Sequence, residues 1–264
     1  MNDSGLILPI TRAVLGIAFA YLIGSIPVGL IVGHVAKGID IREHGSGNIG
    51  LTNVIRTLGW GPGLATGLLD FLKGYIPVLI ALQTFSSDDF GGVTAIRELI
   101  IILVALCLIL GNTFPVYLLF KGGKGVATGF GVISALIGVY IFIPLAIFGL
   151  ILFLFRFVSL ASISAAIAVP FTVLFLSNQL PFSQTDSGES TSAFALLLSF
   201  TSVVALLVIF KHTSNLKRIM KGEEPKIGRK GKSKFGDEPK PGSFIPEEKP
   251  SDESADSGGE ENSS

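Results

Sequence analysis

Residues 126–177 read VATGFGVISALIGVYIFIPLAIFGLILFLFRFVSLASISAAIAVPFTVLFLS, and this stretch decides the fold class. A helix that crosses a membrane needs about 20 predominantly apolar residues, so the stretch is too long for one crossing. It is interrupted at Tyr140-Ile-Phe-Ile-Pro144 and again at Arg156-Phe-Val-Ser159. Two divisions are compatible with these interruptions: an over-long helix pair with a remnant, or three short helices.

The rest of the chain has four further apolar stretches of membrane-crossing length, taking a window of about 19 residues as the yardstick. They occupy residues 13–35, 62–83, 99–119 and 193–210. The whole chain is 49% hydrophobic, and residues 1–210 carry only 9 Lys/Arg and 9 Asp/Glu. Soluble domains contain about 25% charged residues, so a water-soluble globule is excluded. We therefore predict an all-α polytopic membrane protein.

The distribution of Lys and Arg predicts the topology. Residues 37–56, 121–124 and 211–264 hold 3, 2 and 11 of them, whereas residues 84–96 and 178–192 hold none. Basic loops stay in the cytoplasm, so an odd number of crossings must separate the second basic loop from the 178–192 loop. Three short helices satisfy this condition. The prediction is seven transmembrane helices, with the N-terminus outside and the C-terminus cytoplasmic.

The end of the chain differs in composition from the rest. Residues 211–234 carry 9 Lys/Arg and 2 Asp/Glu, and residues 235–264 carry 2 and 9, so the formal net charge of zero is a sum of opposite parts. Few aliphatic residues follow position 228, which predicts disorder. The predicted division is a transmembrane domain at 1–227 and a disordered, charged cytoplasmic tail at 228–264.

Polar residues gather in three segments on the predicted cytoplasmic side, and the first is the glycine-rich string 45–53. Glycines let backbone N–H groups turn toward an anion, and the helix that follows presents its positive end. The string matches G-x-G-x-x-G formally, but a dinucleotide-binding fingerprint requires a preceding strand, and membrane spans flank this one. We predict a phosphate-binding loop formed by Gly45, Ser46, Gly47, Asn48, Gly50, Thr52, Asn53 and Arg56.

The second segment, 120–128, is another glycine-rich loop that enters a helix. It lacks the spacing of a P-loop, but it brings two lysines that act as point charges toward a phosphate. Lys121 is explained equally well as a membrane-flanking cation, whereas a role in binding is favoured for the lysine between two glycines. The predicted binding residues are Gly122, Gly123, Lys124, Gly125 and Thr128.

The third segment, 211–224, ends the last apolar stretch. His212 and Asn215 lie three residues apart, on one face of a helix. Snorkelling explains the lysines and arginines of this segment, but it does not explain the His and the Asn. In the second apolar stretch, Asp70 and Lys73 have the same spacing and are expected to pair. Their pair either offsets its own cost of burial or orients Arg56 or a substrate hydroxyl.

Metal and disulfide chemistry find no support in the sequence. The one cysteine, Cys107, lies in an apolar run, and the three histidines are scattered. We expect no metal, no cofactor and no nucleic-acid partner. Two phosphate-binding loops beside a lipid-embedded bundle instead indicate two phosphorylated substrates that meet at the membrane surface, at least one of them with a lipid tail.

At these three segments the chain resembles the bacterial acyl-phosphate:glycerol-3-phosphate acyltransferases, the PlsY family. The resemblance covers about residues 13–227, through the 45–56 string, Phe114-Pro-Val to Thr128, and His212-x-x-Asn215 to Gly222-x-Glu224. It implies an enzyme of the bacterial inner membrane, with its active site on the cytoplasmic side. The implied reaction moves a fatty acyl group from acyl phosphate to the sn-1 hydroxyl of glycerol 3-phosphate, giving lysophosphatidic acid and phosphate.

The resemblance also implies site residues, namely Ser46, Arg56, the glycines at 122, 123 and 125, Lys124, His212 and Asn215. Our hypothesis is that the 45–53 loop holds the phosphate of acyl phosphate. Lys124, Arg56 and His212 then hold glycerol 3-phosphate, and Ser46 and Asn215 donate hydrogen bonds. The hydroxyl proton passes to His212 or to the substrate's own phosphate.

One position departs from the family pattern. Asn112 stands where the family usually has His, and an amide cannot titrate near neutral pH. A proton-transfer role at this position is therefore in doubt. The competing interpretation of the whole chain is a transporter of a phosphorylated anion, because transporters also bind anions at helix N-termini and glycine-rich loops. Against it, the three segments lie on one side of the membrane, and the sequence has no detectable inverted repeat.

Overall fold

The structure is a computed structural model that describes residues 4–185, 188–189 and 191–227. The predicted disordered tail at 228–264 lies outside the described residues. Ten α-helices are found in this part of the chain, together with an antiparallel pair of two-residue strands. The helices are α1 Ser4–Ser25, α2 Val28–Lys37, α3 Leu51–Leu58, α4 Trp60–Thr84, α5 Thr94–Thr113, α6 Val126–Ile137, α7 Phe142–Phe155, α8 Val158–Leu176, α9 Thr191–Lys211 and α10 Thr213–Met220, and the strands are β1 Gln184–Thr185 and β2 Gly188–Glu189.

Within the described residues, six helical stretches are long and apolar enough to cross a membrane. They confirm the all-helical, membrane-spanning class. Residues 126–155 count as one of the six, because a short 3₁₀ turn at Gly138–Ile141 joins α6 to α7. The six stretches are Leu6–Lys37, Trp60–Thr84, Thr94–Leu118, Val126–Phe155, Val158–Leu176 and Thr191–Lys211.

The chain reverses or bends at residues that disfavour continued helix. Pro27, which has no backbone N–H, separates α1 from α2. Gly138 ends α6 with a φ of 59°, a conformation that glycine adopts readily. Its Cα lies against the ring of Pro181, so an added Cβ would lie 3.2 Å from Pro181 Cγ. The sequence interruption expected at Tyr140–Pro144 thus begins two residues earlier, at the glycine.

Helices pack closely where glycines face a neighbouring backbone. A Cβ on Gly74 of α4 would lie 2.2 Å from the carbonyl oxygen of Thr128 on α6, and one on Gly131 would lie 2.1 Å from that of Phe71. Membrane helices associate through such small residues because lipid supplies no hydrophobic force between them. On the outside of the bundle, α7 and α8 carry large exposed apolar side chains such as Phe153 and Phe175, as expected for contact with lipid.

Polar loops gather at one end of the bundle, which we call the polar end. It is formed by the loops at 38–50 and 114–125, the turn after α7, and residues 212–227. The opposite end is fastened by Arg12, whose guanidinium donates to the carbonyl of Thr84 at 2.7 Å and lies 3.5 Å from Asp89. This arrangement brings the three predicted segments to the same end of the molecule.

Candidate active site

A cavity of about 740 Å³ opens at the polar end and continues between the helices. All three polar segments line its mouth. Farther in, it is lined by apolar side chains of α4, α6, α7, α8 and α9. The lining includes most of the predicted site residues: Gly45, Ser46, Asn48, Gly50, Thr52, Asn53, Arg56, Gly123, Lys124, Gly125, His212 and Asn215.

The first loop is folded around the side chain of Asn53. Its Oδ1 accepts from the backbone N–H of Ser46 at 2.7 Å, and its Nδ2 donates to the carbonyls of Ile41 and His44 at 3.2 and 3.0 Å. Asn53 is only 2% exposed. Sequence reasoning assigned Asn53 to substrate, but its amide is committed to the loop itself. It therefore positions Ser46 and its neighbours.

Gly45 is required by this arrangement, which gives a testable prediction. Its φ is +60°, and an added Cβ would lie 2.3 Å from Asn53 Oδ1. We expect Gly45→Ala to break the contact between Ser46 and Asn53 and to lower kcat/KM at least about tenfold through misplaced donors. The measurement is steady-state kinetics together with thermal unfolding of the purified protein.

Gly38→Ala is the matched control for Gly45→Ala. Gly38 also has a positive φ, +67°, but no atom lies within 4 Å of its added Cβ. Both variants carry the backbone cost of about 1–2 kcal/mol, and only Gly45→Ala adds the clash. Equal activity in the two variants would show that the fold of the 45–53 loop does not matter for turnover.

Four helix N-termini point toward the cavity. Residues in the first turns of α3, α6, α8 and α10 belong to its lining, namely Leu51, Val126, Val158 and Ser214. The first turn of a helix has unpaired backbone N–H groups and a positive partial charge, so it attracts anions. Asn48 shapes the first of these ends, because its Oδ1 accepts from Gly50 N at 2.9 Å just before α3. The mouth of the cavity is therefore suited to phosphate groups.

The second loop places Lys124 at the mouth. Gly123 N donates to the carbonyl of Asn112 at 3.1 Å, and the ammonium of Lys124 donates to Oδ1 of Asn215 in the third segment. Three predicted binding residues lie outside the lining. Gly47 contacts the backbone of Arg42, Gly122 packs against Pro115, and Thr128 is buried against Gly74 of α4. These three residues support the loops, and their geometry does not favour contact with a substrate.

The third segment is organised by Glu224, a residue that our sequence-based set of site residues omits. Its carboxylate accepts from Asn215 Nδ2 at 2.7 Å, from Ser159 Oγ at 2.9 Å and from Arg218 Nε at 2.8 Å. These bonds more than offset burial, which alone raises the pKa, so the pKa of Glu224 stays below its ordinary value. The sequence signal was an acidic residue that closes a basic helix end.

Burial shifts the pKa of two cavity residues in ways that matter for chemistry. Desolvation lowers the pKa of Lys124, the carboxylate of Glu224 opposes this shift, and the cations Arg218, Arg56 and Lys211 add to it, so that the pKa lies at about 8. Desolvation and the charge of Lys124 lower the pKa of His212 to about 4. At neutral pH, Lys124 is therefore mostly charged and His212 is neutral.

The orientation of His212 follows from its neighbours. Its Nδ1 lies 2.8 Å from the carbonyl oxygen of Val208, which can only accept. In the neutral ring the proton therefore sits on Nδ1, and Nε2 keeps a lone pair. Because His212 lines the cavity, this lone pair is available to accept a proton or a hydrogen bond from a ligand.

The predicted Asp70–Lys73 pair is present, with 2.7 Å between Lys73 Nζ and Asp70 Oδ1. Lys73 Nζ also donates to the carbonyl of Ile26 at 2.8 Å and to Oδ1 of Asn112 at 2.7 Å. The lysine thus ties α4 and α5 to the junction between α1 and α2, which favours the interpretation that the pair offsets its own burial. Asp70 also lines the cavity, as a role in orienting a substrate hydroxyl would require.

The fold and the site together define a class: helical membrane proteins whose cavity has a basic, glycine-rich mouth and an apolar channel, an arrangement suited to phosphorylated molecules with lipid tails. The model of the family described as "Glycerol-3-phosphate acyltransferase" matches residues 14–222. The chain belongs to this family, which confirms the resemblance found at the three segments.

Relatives and solved structures agree with this assignment. A glycerol-3-phosphate acyltransferase of Geotalea daltonii is 41% identical over 214 residues, covering 81% of this chain and 97% of the relative. Crystal structures of PlsY, an integral membrane glycerol 3-phosphate acyltransferase, match with 36% identity over 82% of this chain and 96% of theirs. The glycerol 3-phosphate form gives a TM-score of 0.67 and the lysophosphatidic acid form 0.65.

Proposed function

We propose that this protein transfers a fatty acyl group from acyl phosphate to the sn-1 hydroxyl of glycerol 3-phosphate, giving lysophosphatidic acid and inorganic phosphate. One observation carries the proposal: a single cavity joins two glycine-rich loops at its mouth to an apolar channel. The crystal structures of the related PlsY in glycerol 3-phosphate and lysophosphatidic acid forms support the same acceptor and product.

The chemistry needs alignment and charge neutralisation more than an activated nucleophile. Acyl phosphate is a mixed anhydride, so phosphate leaves readily when the hydroxyl attacks the carbonyl. The 45–53 loop holds the phosphate of the donor, and Lys124, Arg56 and His212 hold glycerol 3-phosphate. Ser46 and Asn215 supply hydrogen-bond donors for the developing oxyanion. In many acyl transfers, preorganised donors of this kind contribute more to the rate than any other feature of the enzyme.

The hydroxyl proton has two candidate acceptors. His212 Nε2 is available, but a base whose pKa is about 4 is poorly matched to a reaction near neutral pH. A substrate phosphate, whose second pKa is about 6, is the stronger base. We infer that His212 orients the hydroxyl and that the proton passes to substrate phosphate.

We further propose that the chain crosses the bacterial inner membrane seven times, with the N-terminus outside and the polar end in the cytoplasm. Gly138 at the end of α6 packs near Pro181, whereas Arg156 at the end of α7 accepts from Ile227 N at 2.9 Å near the cavity mouth. These contacts support counting α6 and α7 as separate crossings. The basic loops at the polar end support its cytoplasmic location.

The apolar part of the cavity is suited to the fatty chain. From Ser159 to Val169, both in the lining, α8 rises by about 15 Å. Facing side chains come from α4, α6, α7 and α9 and include Phe71, Phe130, Phe148 and Val204. A fatty chain that lies here keeps its carbonyl near the phosphate-binding loops, since the two parts of the cavity are continuous.

A substitution in this channel is expected to change chain-length preference. In Ala166→Phe the larger side chain excludes two or three methylene groups, each contributing about 0.8 kcal/mol on burial. We expect kcat/KM for palmitoyl phosphate to fall about 30-fold, and that for decanoyl phosphate to change by less than about threefold. Ile167→Phe is the matched control, because Ile167 is 41% exposed and faces away from the cavity. A uniform loss for both donors would contradict a chain-binding role.

The proposed reaction is tested with the purified protein in proteoliposomes, given palmitoyl phosphate and glycerol 3-phosphate. The expected result is stoichiometric release of phosphate and formation of lysophosphatidic acid. Absence of phosphate release, combined with uptake of labelled glycerol 3-phosphate into the vesicles, would overturn the proposal in favour of a transporter. A reaction run with palmitoyl-coenzyme A separates use of the phosphate donor from general acyl transfer.

A further inference from the structure

The segment Phe114–Lys121, between α5 and the Lys124 loop, exposes large apolar side chains at the polar end. Leu119 is 82% exposed, Phe120 59% and Tyr117 55%. These three side chains lie outside the cavity lining. Large apolar groups of this kind, clustered in a short loop, mark a surface that contacts something other than water.

Two of these exposed residues, Leu119 and Phe120, have strained backbone dihedral angles. Leu119 has a φ of 50° and Phe120 a φ of 63°, a region that bulky L-residues rarely adopt. The conformation is held by local bonds: Phe120 N donates to Pro115 O at 2.9 Å, and Lys121 N donates to Leu118 O at 3.0 Å. Because both side chains point outward, packing within the protein does not offset the strain. Such outliers cluster at functional surfaces.

Cations accompany the apolar groups. Lys121 is exposed, and Lys211 Nζ lies 4.6 Å from the centre of the Phe114 ring. Residues 114–125 contain no Asp or Glu. Aromatic residues beside lysines, at the end of a membrane-crossing stretch, are typical of the membrane–water interface, where anionic lipids attract each cation by about 1 kcal/mol. The charge and the position of the segment therefore match a lipid headgroup layer.

We propose that Phe114–Lys121 is a wedge that inserts into the anionic headgroup layer of the leaflet at the polar end. Its last residue directly precedes the Gly122–Lys124 stretch, which Asn112 fixes through Gly123. The wedge therefore seats this part of the cavity mouth at the depth where a lipid-tailed phosphate resides. In addition, on the proposed function, acyl phosphate passes from the leaflet into the cavity beside the wedge.

Insertion is tested by fluorescence, independently of activity. Trp60 is the chain's one tryptophan, so Trp60→Phe gives a silent background into which Phe120→Trp is introduced. In proteoliposomes containing phosphatidylglycerol, we expect lipids brominated near the headgroup to quench this tryptophan and aqueous iodide to leave it unquenched. Glu43→Trp, at an exposed polar-end turn, is the control and should show the reverse.

The outcomes are distinct. Quenching by iodide alone would show that the segment lies in water, and protection from both quenchers would show that protein covers it; either result overturns the proposal. For the kinetic arm, Leu119→Asp/Phe120→Asp should raise KM for palmitoyl phosphate at least about tenfold in liposomes, the loss expected when an apolar side chain leaves the interface. KM for glycerol 3-phosphate, and turnover of water-soluble butyryl phosphate, should be unchanged. Lipid quenching in a protein without acyltransferase activity would leave the wedge supported and sink only the proposed reaction.

Discussion

Replacing Lys124 with methionine is expected to lower kcat/KM for both substrates by about 10³-fold, the upper range for loss of one preorganised charged donor. Lys124 lines the cavity and donates to Asn215, so it links the second polar segment to the third. Methionine keeps most of the volume and removes the charge. The loss should therefore appear in the kinetics while thermal unfolding changes little.

The matched control for this substitution is Lys121→Met. Lys121 belongs to the same loop but is exposed and lies outside the cavity lining. Its loss should change kcat/KM by less than about fivefold, which corresponds to the roughly 1 kcal/mol of a lysine at an anionic membrane surface. Equal losses in the two variants would mean that net positive charge, and not the position of Lys124, governs the reaction.

The pH dependence gives an independent check on Lys124. Its pKa is lowered to about 8, so the free enzyme loses this positive charge as pH rises through that value. We expect kcat/KM to decline on the alkaline side with an apparent pKa near 8. Lys124→Arg keeps the charge, because guanidinium does not titrate in proteins, and should move the decline to higher pH. If kcat/KM of Lys124→Arg declined at the same pH as in the parent, the decline would have to come from another titrating group.

Substitutions of His212 are expected to separate orientation from proton transfer. His212→Ala removes the acceptor at Nε2 and should lower kcat by about 10²-fold through loss of alignment. His212→Gln retains an acceptor that cannot titrate. We expect the glutamine variant to keep turnover within about tenfold of the parent, because the proton passes to substrate phosphate.

The two variants of His212 are expected to behave alike if the histidine is the base. In that case Gln and Ala lose kcat equally, by about 10²–10⁴-fold, since neither accepts a proton. A raised KM with unchanged kcat in both variants would instead confine His212 to binding. His34→Ala, at an exposed position of α2, controls for general effects of losing a histidine.

Local sequence was sufficient to find the three polar segments, because glycine spacing and helix ends are encoded over a few residues. It was not sufficient to assign each side chain. Asn53 and Ser46 lie in the same string, but only the folded loop shows that the side-chain oxygen of Asn53 accepts a hydrogen bond from the backbone N–H of Ser46. Thr128 has the right spacing for a loop ligand, yet close packing of α4 against α6 buries it.

Contacts between distant segments could not be predicted from the sequence, because they too depend on how the chain folds. Lys124 and Asn215 are 91 positions apart, and Ser159 and Glu224 are 65 apart. No periodic pattern links such pairs, because tertiary packing alone sets their separation. The break inside residues 126–177 illustrates an intermediate case. The helix α6 ends at Gly138 because glycine readily adopts the positive φ found there. In the sequence this glycine lies within a continuous apolar run, so it did not stand out as the point where the helix ends.

Glu224 has a consequence for the end of the catalytic cycle. A mouth that gathers Arg56, Lys124 and Arg218 attracts phosphate substrates, but it attracts the departing inorganic phosphate equally. Each additional 1.4 kcal/mol of attraction, roughly, prolongs the residence time of that product tenfold. By holding a carboxylate against Arg218 and Asn215, the protein lowers the net charge that the product meets. We therefore expect inorganic phosphate to leave this mouth faster than it would leave a purely cationic one.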